Sequence, residues 1–184
     1  MPQFQLNGVM ESKYTDLSEF AQGYIECAFF TAPRPDEAGN GEGDPCPNCE
    51  TELESGDDDL PYCPQWGCDW SCGEIPESFG IDNLSDNALQ DIIKETDKFW
   101  KENQINLDRV LGSKWNGSDN WGDYDEAQAG RDFWFTRCGH GVGFWDRGFI
   151  ETYASDAADS LSEAANKSGN VDMYLGDDSQ IYFM

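Results

Sequence analysis

Lysine and arginine are missing from the sequence between Arg34 and Lys94, a span that holds sixteen Asp and Glu. Over the whole chain 37 acidic residues stand against 11 Lys and Arg, for a formal net charge of -26 at pH 7. A field of that sign repels DNA, RNA and anionic membrane, and it speeds encounter with basic surfaces at low salt. Direct binding of nucleic acid through its phosphates is therefore not expected. Histidine is almost absent: His140 stands alone, so the open zinc site of a hydrolase, which draws on several histidines, cannot be assembled. No apolar run approaches the ~20 residues that span a bilayer. The N-terminus lacks a basic region followed by an apolar core and a cleavage site. These absences predict a protein of the cytoplasm with no membrane partner. There is also no phosphate loop, no nucleophile elbow, no catalytic metal triad and no internal repeat.

What the chain does contain is aromatic residues and cysteine. Eleven Phe, seven Trp and seven Tyr, with a hydrophobic fraction of 38%, exceed what a disordered chain carries. A length of 184 residues suits one ordinary domain with its own core plus a small module unable to fold unaided. The seven cysteines are odd in number and five of them crowd between positions 46 and 72. In a reducing compartment that pattern points to metal ligation rather than disulfides.

The crowded stretch reads CPNCETELESGDDDLPYCPQWGCDWSC. Cys46 and Cys49 form one pair, and after thirteen intervening residues come Cys63 and then Cys68. Two short loops, each bringing two thiolates to one ion, follow the logic of a zinc ribbon. Cys72 is the alternate to Cys68. Four thiolates leave no open position for water, so the expected zinc is structural, and its binding replaces the core such a segment lacks. Pro-, Gly- and acid-rich linkers flank the stretch on both sides, as around an insertion. The expected organisation is a core domain over 1–34 and 79–184 with an acidic zinc-binding module over 35–78. Glu50, Glu52, Glu54, Asp57, Asp58 and Asp59 would then form an acidic prong for a partner. A compact chain of this length is about 40 Å across, and duplex DNA of that length carries about 24 phosphates. The charge is of the same order as that of a short duplex.

Outside the module, DLSEFAQGYIECAFF predicts a helix with Asp16 and Glu19 as a capping box and Leu17, Phe20, Ala21, Tyr24 and Ala28 on one face. A second helix is expected from Ser85 or Asp86, with Leu89, Ile92, Ile93, Thr96, Phe99 and Trp100 on one face, ending before NQINLD. A polar, Trp-bearing loop follows, through Ala129 and Gly130. RDFWFTR and VGFWDR then read as strands joined by CGHG, with Phe133 and Phe135 on one face and Trp134 and Thr136 on the other. A third helix carries Tyr153, Ala157, Leu161, Ala164 and Ala165 inward, with Gly169 as its stop. VDMYLGDDSQIYFM reads as a second hairpin turning at Gly176, Asp177 and Asp178. The predicted class is α+β, with about three helices on an antiparallel sheet of about four strands.

His140, in the Gly-lined connection RCGHGVGFWDRG, is the candidate general base, with Asp132, Asp146 or Arg147 as helpers and Cys138 as a candidate nucleophile. The competing reading makes it a turn residue that pins the hairpin by hydrogen bonds. A recognition surface of Trp134, Arg137, His140 and Trp145 would suit a small nucleotide, with Trp115 and Trp121 stacking and Arg137 or Arg147 meeting phosphate.

The segment AQAGRDFWFTRCGHGVGFWDRG, with the closing VDMYLGDDSQIYFM and the N-terminal GYIECAFFT, resembles a family of small acidic proteins common in bacteriophage genomes. Members carry a stretch close to AGHDFWLTRNGHGAGFWDRG. Here Arg131 replaces the first His, Cys138 replaces Asn, and the cysteine module is an insertion. The resemblance implies a viral accessory protein in the cytoplasm of an infected host. It implies no mechanism, and Arg131 removes any paired-histidine chemistry. Two functions are expected. One is an acidic interaction protein that inhibits or redirects a host nucleic-acid-binding protein, by DNA mimicry in counter-defence or host takeover. The other is an enzyme or binder acting on a small nucleotide at the Gly-His-Gly connection.

Overall fold

The computed structural model describes residues 14, 16–32, 42–43, 45–46, 50–55, 61–65, 79–113, 123–176 and 178–184. Helix α1 spans Glu19–Thr31. Its N-cap is Ser18, whose hydroxyl accepts from the Ala21 amide at 3.2 Å. The expected cap at Asp16 is thus moved two residues on, since Ser18 is the residue with an extended backbone immediately before the first helical turn. Phe20, Ala21, Tyr24 and Ala28 are buried as expected.

Strands β1 (Glu54–Ser55) and β2 (Pro61–Tyr62) form a short antiparallel hairpin within the cysteine-rich stretch. Helix α2, Asp86–Val110, starts after the N-cap Ser85, whose hydroxyl accepts from the Ala88 amide. It runs through the NQINLD segment where an end was expected. The apolar stripe of Ile92, Thr96 and Phe99 continues into Leu107 and Val110, both fully buried, and the polar residues between them fall on the outer side. Ile105, 81% exposed, lies on that outer side.

The largest departure is at RDFWFTR, which is helical. Helix α3 spans Glu126–Arg137, capped by the Asp125 carboxylate accepting from the Gln128 amide at 2.7 Å. The expected hairpin of RDFWFTR and VGFWDR does not form, and VGFWDR holds a single 3-10 turn at Phe144–Asp146. The physical reason is burial. Gln128, Ala129, Gly130, Asp132, Phe133, Trp134, Thr136 and Arg137 are all buried, and a helix covered on nearly every side shows no polar stripe. Its aromatic residues then read as a two-faced strand.

The four-residue connection CGHG is the end of this helix. Gly139 has φ +71°, the His140 amide donates to the Phe135 carbonyl at 3.0 Å, and the Gly139 amide donates to that of Thr136. This is a Schellman C-cap.

Helix α4, Gly148–Lys167, has a non-helical residue at Ala154 and buries Ala157, Ala158, Leu161 and Ala165. Gly169, at φ +81°, follows its end as expected. The side chain of Tyr153 lies outside the described residues. Strands β3 (Met173–Leu175) and β4 (Ile181–Phe183) pair antiparallel, Tyr174 opposite Tyr182, around the expected turn. Among the described residues the strands form two separate two-stranded pairs rather than the expected sheet of about four, and the class is α+β with four helices described.

The core is aromatic. Phe99 stacks on Phe133 with ring centroids 3.9 Å apart, Phe20 and Phe144 stack in line with them, and Trp134 meets Tyr24 edge-on. Helices α1 and α3 meet at backbone contact, because a Cβ on Gly23 would fall 1.9 Å from the Ala127 carbonyl oxygen and one on Gly130 would fall 1.9 Å from that of Phe20. Among the described residues no helix is long and apolar enough to cross a membrane.

Candidate functional site

The chemistry of the RCGHGVGFWDRG segment divides into a buried frame and an exposed remainder. Asp132 is fully buried. It accepts from Arg147 through both carboxylate oxygens, from the Tyr124 hydroxyl at 2.7 Å and from Gln128 Nε2 at 3.1 Å. Burial beside this carboxylate raises the Tyr124 hydroxyl well above its ordinary range, so the tyrosine stays a donor. Arg147 is thereby locked to the C-terminal half of α3 and fixes the loop that leads into α4.

Arg137 is a second hub, only 5% exposed. Its guanidinium donates to the Gly169 carbonyl at 2.9 Å, the Ser168 carbonyl at 3.2 Å, the Tyr24 hydroxyl at 2.9 Å and the Glu95 carboxylate. It also lies over the Phe133 ring at 5.3 Å. Arg137 caps the carbonyl end of α4 from α3, a geometry that needs the planar five-donor fork. Trp134 is buried too, its indole donating to Thr31 Oγ1 at 2.7 Å. Of the four residues expected to form a recognition surface, Trp134 and Arg137 are therefore interior, while His140 and Trp145, 46% exposed, face outward.

The candidate catalytic group does not assemble. The His140 ring sits beside Trp134 and Phe135, and partial burial lowers its pKa. No hydrogen bond or ion pair joins it to Asp132, Asp146 or Arg147. Among the described residues its side chain makes no hydrogen bond, so the pinning is done by its backbone amide. Asp146 is exposed. Burial pushes the Cys138 thiol up, and its sulfur lies 3.5 Å from the Val171 carbonyl, the opposite of what activates a thiolate. A groove of ≈ 320 Å³ between α2 and α4, floored by Phe99 and Phe133 and edged by Glu95, Lys98, Glu102 and Lys167, includes neither His140 nor Arg147. Arg131 pairs with Glu26 at 2.6 Å.

Reading residues singly missed Tyr124, Gln128 and Glu95, the partners that complete both arginine hubs. Gln128 and Asp132 are four apart, a signal that becomes visible only once the segment is taken as helix.

The cysteine-rich module presents a different surface. Cys46, Leu53 and Cys63 form a buried cluster separate from the main core. Glu42, Glu50, Glu52 and Glu54 are all exposed. Cys49, Cys68, Cys72, Asp57, Asp58 and Asp59 lie outside the described residues, as do Trp115 and Trp121. Among the described residues no three His, Cys, Asp or Glu side chains converge as a metal-binding group.

All 11 Lys and Arg lie outside the module, in residues 1–34 and 79–184. Arg109, Arg131, Arg137 and Arg147 each pair with a carboxylate of the helical body, namely Asp156, Glu26, Glu95 and Asp132. The module has no Lys or Arg with which to pair its acids. No protein-family model matches the chain, and neither a curated protein nor a solved structure does.

Proposed function

We propose that this is an acidic interaction protein, of viral origin as its resemblance implies, that binds a basic, nucleic-acid-binding host protein in the cytoplasm of the infected cell and inhibits or redirects it. The observation that carries this reading is the confinement of every cation to the body. The body pairs Arg109, Arg131, Arg137 and Arg147 with its own carboxylates, whereas the module exposes Glu42, Glu50, Glu52 and Glu54 with no cation in its sequence. An unmixed acidic surface steers toward a basic groove and competes there with phosphate. The alternative of an enzyme or binder for a small nucleotide at the Gly-His-Gly connection draws less support, because Arg137 and Arg147, its phosphate-meeting groups, are paired with Glu95 and Asp132.

The test is capture from host lysate by the full chain, with duplex DNA as competitor. The expected result is a nucleic-acid-binding protein that DNA displaces, that is released at about 0.5 M salt, where the Debye length falls well below the ~10 Å of 0.1 M, and that a variant with Glu50, Glu52, Glu54, Asp57, Asp58 and Asp59 all changed to the amides fails to retain. Undiminished capture by that variant would overturn the reading.

A further inference from the structure

The strand pairing of the module separates its side chains onto two faces. Pro45 pairs with Glu52, Glu54 with Tyr62 and Ser55 with Pro61, all antiparallel. The segment 51–55 is thus the middle of three adjacent strand segments. Continuing each register by one residue sets Cys46 beside Thr51 and Cys63 beside Leu53. The Cys46 amide donates to the Thr51 carbonyl at 2.8 Å, which confirms the first of these. Because directly opposed residues share a face and neighbours along a strand alternate, Cys46, Thr51, Leu53 and Cys63 fall on one side. Pro45, Glu52, Glu54 and Tyr62 fall on the other. Burial agrees: Cys46, Leu53 and Cys63 are 1%, 2% and 7% exposed, while Glu52 and Glu54 are exposed and the Tyr62 hydroxyl donates to Glu54 at 2.9 Å.

We propose that the cysteine face holds one structural zinc ion, with Cys46 and Cys63 as two of four thiolate ligands, and that this metal is what presents the glutamate face to the partner. Among the described residues of this segment the buried cluster is Cys46, Leu53 and Cys63, too small a core to order strands of this charge by packing. Cysteines 17 positions apart in sequence that meet on one buried face need a bond stronger than packing, which a tetrahedral thiolate site provides. The chain turns back directly after Cys46, since the Glu50 amide donates to the Cys46 carbonyl at 2.8 Å and Glu50 has φ +62°. Cys49, which lies outside the described residues, is the third ligand by its sequence spacing from Cys46. Cys68, or Cys72 in its place, supplies the fourth by its spacing after Cys63. The consequence for binding rests on the acidic-partner reading; the metal site does not.

The experiment is native mass spectrometry of the purified full chain, with Co(II) replacing Zn(II) to report geometry through intense visible absorption of a tetrahedral thiolate complex. One zinc per chain is expected, retained in Cys138→Ser and lost in Cys46→Ser/Cys63→Ser. Helical circular dichroism should be preserved in the latter, which shows that the body still folds. A metal-free native chain, an iron chromophore, or full zinc retention in the double variant would overturn the site. Zinc bound without any partner capture would instead overturn the acidic-partner reading, and capture unchanged after chelation would overturn the coupling of metal to binding.

Discussion

Asp132 and Arg147 show how a charged pair becomes part of a core. The carboxylate is fully buried and the arginine side chain 11% exposed, so neither ion is solvated well alone, and Tyr124 and Gln128 complete the acceptor sites that the guanidinium leaves. Removing one charge leaves the other desolvated without compensation. Asp132→Asn is therefore expected to cost about 3–5 kcal/mol, measured by urea unfolding. A double-mutant cycle with Arg147→Met should recover a large part of that loss, because the stranded cation is then gone. Arg137 differs in kind: its Glu95 partner is half exposed, and its other acceptors are two backbone carbonyls and the Tyr24 hydroxyl. Its role is to join helices, and that uses four of the five N–H donors that a solvent-facing recognition residue would need to keep.

Among the elements, the crossing of α1 and α3 is set by glycine. Gly23 and Gly130 each lie where a Cβ would strike the backbone of the opposite helix, and backbone cannot move aside as a side chain tip can. In an open helix Gly→Ala gains roughly 0.5–1 kcal/mol. Here Gly130→Ala is expected to lose about 1–3 kcal/mol through overpacking, read as a lower urea midpoint. Gly23→Ala should do the same, and the double variant should lose less than the sum, since one separation of the helices relieves both clashes. The same closeness explains why α3 was illegible as a helix. Packed against α1, α4 and the aromatic stack, it has almost no polar face, and Phe133, Trp134 and Phe135 in succession imitate a strand.

The whole molecule carries an excess of negative charge that intramolecular pairs do not cancel. Its formal net charge of -26 produces self-repulsion in the compact state. Raising ionic strength from about 0.01 M to about 0.15 M shortens the Debye length from about 30 Å to about 8 Å. The thermal midpoint is therefore expected to rise by roughly 3 °C or more, followed by calorimetry in NaCl. A midpoint that falls with salt would mean that the surface ion pairs Arg109–Asp156 and Lys167–Glu163 outweigh the repulsion.

The amino-acid sequence by itself determined the features that are local or additive. Ser85 before an apolar stripe starts α2, Gly169 follows the end of α4, and the apolar–polar alternation around Gly176 makes the β3–β4 pair, because caps, turns and strand alternation need only near neighbours. The acidity of the module and the cysteine spacing were equally legible, being counts and intervals. What only the tertiary structure decided was everything that depends on which faces meet. It placed α3 inside the helices, turned Gly139 and His140 from a hairpin into a helix cap, and closed Arg137 and Arg147 onto carboxylates of the same chain. It also set cysteines and glutamates on opposite faces of the same strands. Burial on all sides erases periodicity, and an arginine reads the same in sequence whether its carboxylate lies in the core or in a partner.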